Sequence, residues 1–92
     1  MELAMIGLGK MGLNMTTRLI GGGHRVVGYD RAAANVEEAK KIGADGANSL
    51  KEAVSKLKAP RVVWTMIPAG KPTDDTIQEL SELLSKGDVV ID

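Results

Sequence analysis

Three glycines at a fixed spacing are the residues of this chain best suited to binding a ligand. Gly7, Gly9 and Gly12 form the pattern G-x-G-x-x-G, which follows an apolar run and precedes a helical pattern. In such a turn one glycine permits tight reversal, one lets the backbone approach a pyrophosphate, and one lets helix and strand pack closely. Amides near Lys10 and Met11 would then point at the phosphates. The alternative is a turn that only needs a flexible backbone.

An acidic residue follows at the end of the second apolar run. Asp30 lies eighteen positions past Gly12, where a carboxylate can accept hydrogen bonds from adenosine ribose hydroxyls and repels the 2′-phosphate of NADP. The pattern therefore predicts a dinucleotide site that prefers NAD. Arg31 leaves NADP open, because its guanidinium could pair with a 2′-phosphate, although it could equally stack on the adenine. Asp30 could also cap the helix that follows, and both roles can hold together.

Other candidate contacts surround the glycine turn or follow the fourth apolar run. Lys10 could pair with the pyrophosphate or with a substrate phosphate, and a solvated loop lysine explains it equally well. The segment after the fourth strand could line the nicotinamide side, unless its Pro and Gly are plain turn breakers. Thr73 and Thr76 could touch the adenine side. The predicted cofactor-binding residues are Gly7, Leu8, Gly9, Lys10, Met11, Gly12, Asp30, Arg31, Met66, Ile67, Pro68, Thr73 and Thr76.

The sequence contains no constellation typical of acid–base or nucleophilic catalysis. The lone His24 lies at the amino end of the second predicted strand, away from the ligand edge, so we expect a structural role. Asp74 and Asp75 are typical of a helix start. The chain has no Cys, and no carboxylates cluster near His24, so we expect neither a disulfide nor a metal site.

The composition of the chain limits the kinds of molecule that it is expected to bind. The 92 residues include 12 basic and 12 acidic side chains, and aromatic residues make up only 2%. Without a basic excess or a stacking surface, nucleic acid is not an expected ligand. No apolar run is long enough to span a bilayer, and the first strand starts too early for a signal peptide. We therefore expect no membrane partner and a cytoplasmic protein.

Strands and helices alternate along the chain. Apolar runs predict strands at 3–6, 24–29, 44–47, 61–67 and 89–91, and helical patterns lie at 11–20, at 32–42, after a capping box at 49–52, and from a cap at Thr73. In the first helix, Met11, Met15 and Leu19 form the predicted inward stripe. The order predicts an α/β fold, a Rossmann-type doubly wound parallel sheet with strand order 3-2-1-4-5, covering residues 1–92 as one dinucleotide-binding domain. Because no helix follows the fifth strand, we expect a domain of a longer, truncated enzyme.

Two stretches, 7–15 and 23–31, resemble the amino terminus of β-hydroxyacid dehydrogenases. The stretch from Val63 to Gly70, together with Thr73-Asp74-Asp75, is similar to 6-phosphogluconate dehydrogenases, in particular the shorter bacterial type that prefers NAD. The resemblance covers nearly the whole chain. It implies oxidation of 6-phosphogluconate at carbon 3 and decarboxylation to ribulose 5-phosphate, with a catalytic lysine and glutamate downstream of Asp92.

The same resemblance implies partners that the chain itself does not contain. A phosphorylated sugar acid would be the substrate, and a separate helical domain would build a homo-oligomer. This chain alone is then expected to bind dinucleotide weakly and to be inactive. Two alternatives stay open: another β-hydroxyacid dehydrogenase, such as one acting on 3-hydroxyisobutyrate, and a non-catalytic nucleotide-sensing module.

Overall fold

The computed structural model describes residues 2–58, 60–66, 71–84 and 87–91, without the side chains of residues 71–75 and 77. Strands and helices alternate through these residues, as the apolar runs predict. The elements are β1 (Glu2–Ile6), α1 (Lys10–Gly21), β2 (Arg25–Tyr29), α2 (Ala33–Lys41), β3 (Asp45–Gly46), α3 (Leu50–Ser55), β4 (Val62–Thr65), α4 (Lys71–Leu83) and β5 (Val89–Ile91).

All strand pairs are parallel, and the order across the sheet is β3-β2-β1-β4-β5. This confirms the predicted fold class and strand order. Leu3 lies opposite Val26 on one side, and Ala4 lies opposite Val63 on the other. The chain thus reverses its direction of winding between β1 and β4, and the carboxyl ends of these two strands open the crevice where such sheets bind ligands.

Both faces of the sheet are covered, which explains why the central strands are apolar without alternation. Every residue from Leu3 to Ile6 is at most 2% exposed. One core packs β1 and β2 against α3 and α4, including Val54 and Leu80. The other core packs the opposite face against α1 and α2, including Val36. The sheet is therefore doubly wound, with two helices on each face.

Glycine and serine signals end and begin the helices as predicted. Gly23, after α1, has a φ of +88°, and Gly43, after α2, has a φ of +103°, a region that side chains with a Cβ rarely adopt. The hydroxyl oxygen of Ser49 accepts a hydrogen bond of 3.0 Å from the amide of Glu52 and caps α3. These local signals carry the chain from helix back to strand.

Two predicted details were wrong. Helix α4 begins at Lys71 rather than after a cap at Thr73, because proline at Pro72 is compatible with a first helical turn, where its missing N–H has no intrahelical partner. Met11 is 73% exposed and does not join the inward stripe. Gly12 and Thr16 face the sheet instead, since the close approach of helix and strand requires small side chains there.

An ionic network joins the amino ends of the first three strands. The guanidinium of Arg25 donates to Glu2 at 2.5 Å and to Asp45 at 2.6 Å, and Lys56 donates to Asp45 at 3.0 Å. A hydrogen bond from the amide of Lys58, and the bond from Arg25, lower the pKa of Glu2. Bonds from Lys56 and Arg25 lower the pKa of Asp45, which in turn raises the pKa of Lys56. These ion pairs therefore add to the backbone pairing that joins the two-residue strand β3 to β2.

Strand β5 forms one edge of the sheet, and its side chains are poorly covered. Val89, Val90 and Ile91 are 49%, 40% and 38% exposed. Asp88 anchors the strand, because its carboxylate accepts a 2.5 Å hydrogen bond from the amide of Arg61. Within the described residues, no helix is both long and apolar enough to cross a membrane.

Candidate dinucleotide site

The glycine turn connects β1 to α1 at the carboxyl edge of the sheet. Gly7 has a φ of +99°, and its amide donates a 2.8 Å hydrogen bond to the carbonyl oxygen of Tyr29 at the end of β2. Gly9 is the N-cap residue of α1, with extended backbone and no side chain to bond the helix amides. The first-turn amides therefore point outward from a helix start that carries no acidic residue.

Gly12 sets the distance between helix and strand. A Cβ built on Gly12 would lie 2.0 Å from the carbonyl oxygen of Gly7, far inside van der Waals contact. Any side chain at this position would push α1 away from the end of β1. The third glycine of the motif is thus required by backbone packing, whether or not a ligand is bound.

Gly9 has the opposite environment. A Cβ built on Gly9 meets no heavy atom within 4 Å in the part of the chain that the structure describes. Its φ of −66° is also accessible to any residue. Neither packing nor φ therefore requires glycine here, and the open space at the start of α1 suits an approaching pyrophosphate.

The carboxylate of Asp30 is bound on both oxygens. Oδ2 accepts a 2.6 Å hydrogen bond from the amide of Leu8, and Oδ1 accepts a 2.8 Å hydrogen bond from the amide of Ala32. Ala32 is the N-cap residue of α2, and no side chain caps that helix. Asp30 thus holds the glycine turn and the approach to α2 at once. Each oxygen keeps a further lone pair that can accept from a hydroxyl.

Leu8 contributes its backbone to this site, while its side chain belongs to the core. The side chain is 1% exposed, and a Cβ built on Gly28 would lie 3.1 Å from Leu8 Cδ1. The buried side chain and the bonded amide fix the middle of the turn from opposite sides.

A cleft of about 540 Å³ opens where these parts meet, and we call it the glycine-loop cleft. Seven of the predicted residues line it together with one that the sequence did not single out, Thr65. Its hydroxyl donates to the carbonyl oxygen of Ile91 at 3.3 Å, and its place at the end of β4, beside β1, could have indicated it. The lining residues are Gly7, Gly9, Lys10, Met11, Gly12, Asp30, Thr65 and Met66.

A second, smaller pocket of about 110 Å³ shares Asp30 with the glycine-loop cleft, and we call it the acidic pocket. Arg31 was predicted near this place, whereas Tyr29, Glu37 and Asn48 were not. Because β3 lies beside β2, the loop after β3 returns to the carboxyl end of β2. The lining residues are Tyr29, Asp30, Arg31, Ala33, Val36, Glu37 and Asn48.

The remaining predicted site residues are only partly described. Ile67 and Pro68 lie outside the described residues, and of Thr73 only the backbone in α4 is described. Thr76 is half-buried on α4 and is not among the described residues that line either cleft. Contacts of these four residues with a cofactor remain predictions.

The charges at the carboxyl edge suit an anion near a hydroxyl-rich group. Lys10 is exposed at the first position of α1, where the helix dipole is positive, and Asp30 directly follows β2. No group of His, Cys, Asp or Glu among the described residues could hold a metal ion. The residues present therefore fit a dinucleotide, with backbone amides for phosphates and a carboxylate for ribose.

Comparison with known proteins agrees with this assignment. The sequence profile described as the NAD binding domain of 6-phosphogluconate dehydrogenase matches residues 2–92. A decarboxylating 6-phosphogluconate dehydrogenase of Drosophila simulans is 45% identical over 96 residues, which cover 99% of this chain and 20% of that protein. An NAD(+)-dependent, decarboxylating 6-phosphogluconate dehydrogenase of Haloferax volcanii is 39% identical over 92 residues, which cover 100% of this chain and 31% of that protein. The chain thus spans no more than a third of these relatives.

Solved structures share the fold. The 6-phosphogluconate dehydrogenase of Plasmodium falciparum, studied apo, with NADP+ and with 6-phosphogluconate, superimposes with a TM-score of 0.88 at 29% identity, over 98% of this chain and 21% of that one. A 3-hydroxyisobutyrate dehydrogenase of Mycobacterium tuberculosis superimposes with a TM-score of 0.86 at 30% identity, over 97% of this chain and 30% of that one.

Proposed function

The chain belongs to the family of NAD-binding domains of 6-phosphogluconate dehydrogenase, and from this premise we propose that it holds NAD in the glycine-loop cleft of a decarboxylating enzyme. One observation supports the cofactor site above all. Gly9 is free of packing demands, yet it lies at the start of α1 beside Asp30. The parent enzyme would oxidise 6-phosphogluconate and release ribulose 5-phosphate.

The residues of this chain would bind and orient the cofactor. Amides in the first turn of α1 would hold the pyrophosphate, with Lys10 beside it, and Asp30 would accept hydrogen bonds from ribose hydroxyls. Met66 and Thr65 would border the nicotinamide side. When bound, NAD supplies the hydride acceptor. The acid and base of the reaction would come from another domain of the parent enzyme.

We propose NAD rather than NADP as the preferred cofactor. Asp30 places a carboxylate where a 2′-phosphate would be repelled, and the Haloferax volcanii relative is named as NAD(+)-dependent. Arg31, next to Asp30 in the sequence, favours NADP, and the Plasmodium falciparum enzyme was studied with NADP+. We further propose a cytoplasmic, homo-oligomeric parent enzyme with no nucleic-acid or membrane partner, in keeping with the balanced charge of the chain.

A second candidate is a 3-hydroxyisobutyrate dehydrogenase. The Mycobacterium tuberculosis structure of that activity is as similar to this chain as the Plasmodium falciparum structure. The two activities can be separated by assaying the enzyme that contains this domain with 6-phosphogluconate and with 3-hydroxyisobutyrate. Reduction of NAD with only the second substrate would favour the second candidate.

The cofactor site can be tested by making the same change, glycine to alanine, at each end of α1. Gly9→Ala should lower the free energy of unfolding by no more than about 1 kcal/mol, because the new methyl meets open space and only the N-cap preference for glycine over alanine is lost. It should weaken NAD binding by roughly 5- to 150-fold, since overpacking costs about 1–3 kcal/mol. Gly21→Ala also meets open space, so it serves as the control and should leave binding unchanged.

Calorimetric titration with NAD and thermal unfolding measure both quantities. A folded wild-type chain that binds no NAD would contradict the proposed site. Equal affinities of wild type and Gly9→Ala would show that the pyrophosphate does not lie at the start of α1.

A further inference from the structure

The acidic pocket carries a second carboxylate beside Asp30. Glu37, on the second turn of α2, lines this pocket with Arg31 and Asn48. Two acidic residues and one arginine therefore line a space of about 110 Å³. Because Asp30 borders both clefts, a ribose that binds its carboxylate from the glycine-loop cleft also borders this pocket.

Glu37 is tied to the β3 side of the pocket through a lysine. Its Oε1 lies 3.4 Å from Lys40 Nζ. The stem of Lys40 packs on β3, since a Cβ built on Gly46 would lie 2.3 Å from Lys40 Cε. The pairing partner of Glu37 is thus anchored on the sheet.

Glu38 is the natural counterpart of Glu37. It is also exposed and pairs with a lysine three residues later, with 3.3 Å between Glu38 Oε1 and Lys41 Nζ. Unlike Glu37, it is not among the described residues lining the acidic pocket. The two neighbouring acids therefore share charge, exposure and pairing, and they differ in their position relative to Asp30.

We propose that Glu37 is a specificity-determining residue that disfavours the 2′-phosphate of NADP in the acidic pocket. This inference rests on the proposed function, because it requires a dinucleotide at Asp30. A phosphate monoester carries a charge near −2 at neutral pH, so two carboxylates of the lining oppose it, while Arg31 in the lining and the Lys40 ammonium paired with Glu37 attract it. NAD presents a neutral hydroxyl at the same place and is indifferent to Glu37.

The matched variants Glu37→Gln and Glu38→Gln test the inference in the full chain. Each removes one negative charge and one lysine pair. We expect Glu37→Gln to tighten NADP binding by about 3- to 10-fold at low salt, from the Coulomb energy of a dianion about 6 Å from a carboxylate in water. NAD affinity should change by less than about twofold, and the gain should shrink at 0.5 M salt because exposed charges are screened.

Titration calorimetry with NAD and NADP, on variants whose melting temperatures are first compared with the wild type, gives the result. Equal NADP gains in both variants would mean that net charge alone is responsible and would overturn the inference. An unchanged NADP affinity in Glu37→Gln would overturn it as well. In both cases retained NAD binding would leave the proposed function standing, whereas loss of NAD binding by the wild type would remove both.

Discussion

Removing the carboxylate of Asp30 should loosen the glycine turn even when no ligand is present. The two amides it binds belong to different segments: Leu8 in the turn after β1, and Ala32 at the approach to α2. Asp30→Ala deletes both bonds at once. Asp30→Asn keeps one acceptor oxygen, so only one of the two amides can remain bonded.

The structure sets the size of the effect. A hydrogen bond to a charged acceptor contributes about 1.5–3 kcal/mol, and less where water can replace it. The bond from Leu8 is partly buried, and the bond from Ala32 is exposed. We expect Asp30→Ala to lower the free energy of unfolding by about 2–4 kcal/mol and Asp30→Asn by about 1–2 kcal/mol.

Urea unfolding of the two variants and the wild type measures these differences, and NMR hydrogen exchange follows the amide of Leu8 directly. Glu38→Ala is the control, because it removes an exposed, lysine-paired acid from the same helix-and-strand unit and should cost about 0.5 kcal/mol or less. If Asp30→Ala unfolds like this control and the Leu8 amide exchanges at the wild-type rate, the carboxylate does not hold the turn. If the expected loss is found, weaker NAD binding by Asp30→Ala cannot be ascribed to the ribose contact alone.

Two further outcomes follow from the geometry. Gly12→Ala should destabilise the fold by at least about 1–3 kcal/mol, since its Cβ would lie 2.0 Å from the carbonyl oxygen of Gly7; a urea midpoint equal to that of Gly21→Ala would refute this packing. The lowered pKa values of Glu2 and Asp45 mean that their ionised forms favour folding. This stabilisation is present above their ordinary values of 4.5 and 3.8 and is lost as pH falls through the lower folded-state values. The melting temperature should therefore fall between pH 7 and pH 3, and it should fall less in the double variant Glu2→Gln, Asp45→Asn. An equal fall in both proteins would contradict this stabilising role of the two carboxylates.

The fold could be predicted from the sequence because its signals are local and consistent. Apolar runs without alternation identify strands buried on both faces, and glycines with positive φ mark the helix ends. The start of α4 was missed, because Pro72 is compatible with either a loop or a first helical turn. The exposure of Met11 was missed as well, because hydropathy does not reveal that the contact between Gly12 and Gly7 rotates the face of α1 toward the sheet.

The candidate site likewise has parts that the sequence predicts and parts that it does not. The glycine turn and Asp30 follow from a motif whose spacing reflects backbone geometry. The bond from Leu8 to Asp30 and the place of Glu37 in the acidic pocket depend on how loops after neighbouring strands meet. No pattern within one segment specifies that meeting, because it depends on the tertiary arrangement of β1, β2 and β3.

The unequal surroundings of Gly9 and Gly12 imply different histories for the two positions. A lineage that lost nucleotide binding but kept this fold would still retain glycine at position 12, because helix and strand collide with anything larger. At position 9 nothing in the described protein opposes a side chain, so glycine there would drift once selection for the ligand ended. Among descendants of this domain, the residue at position 9 should therefore report whether the ancestral ligand is still in use.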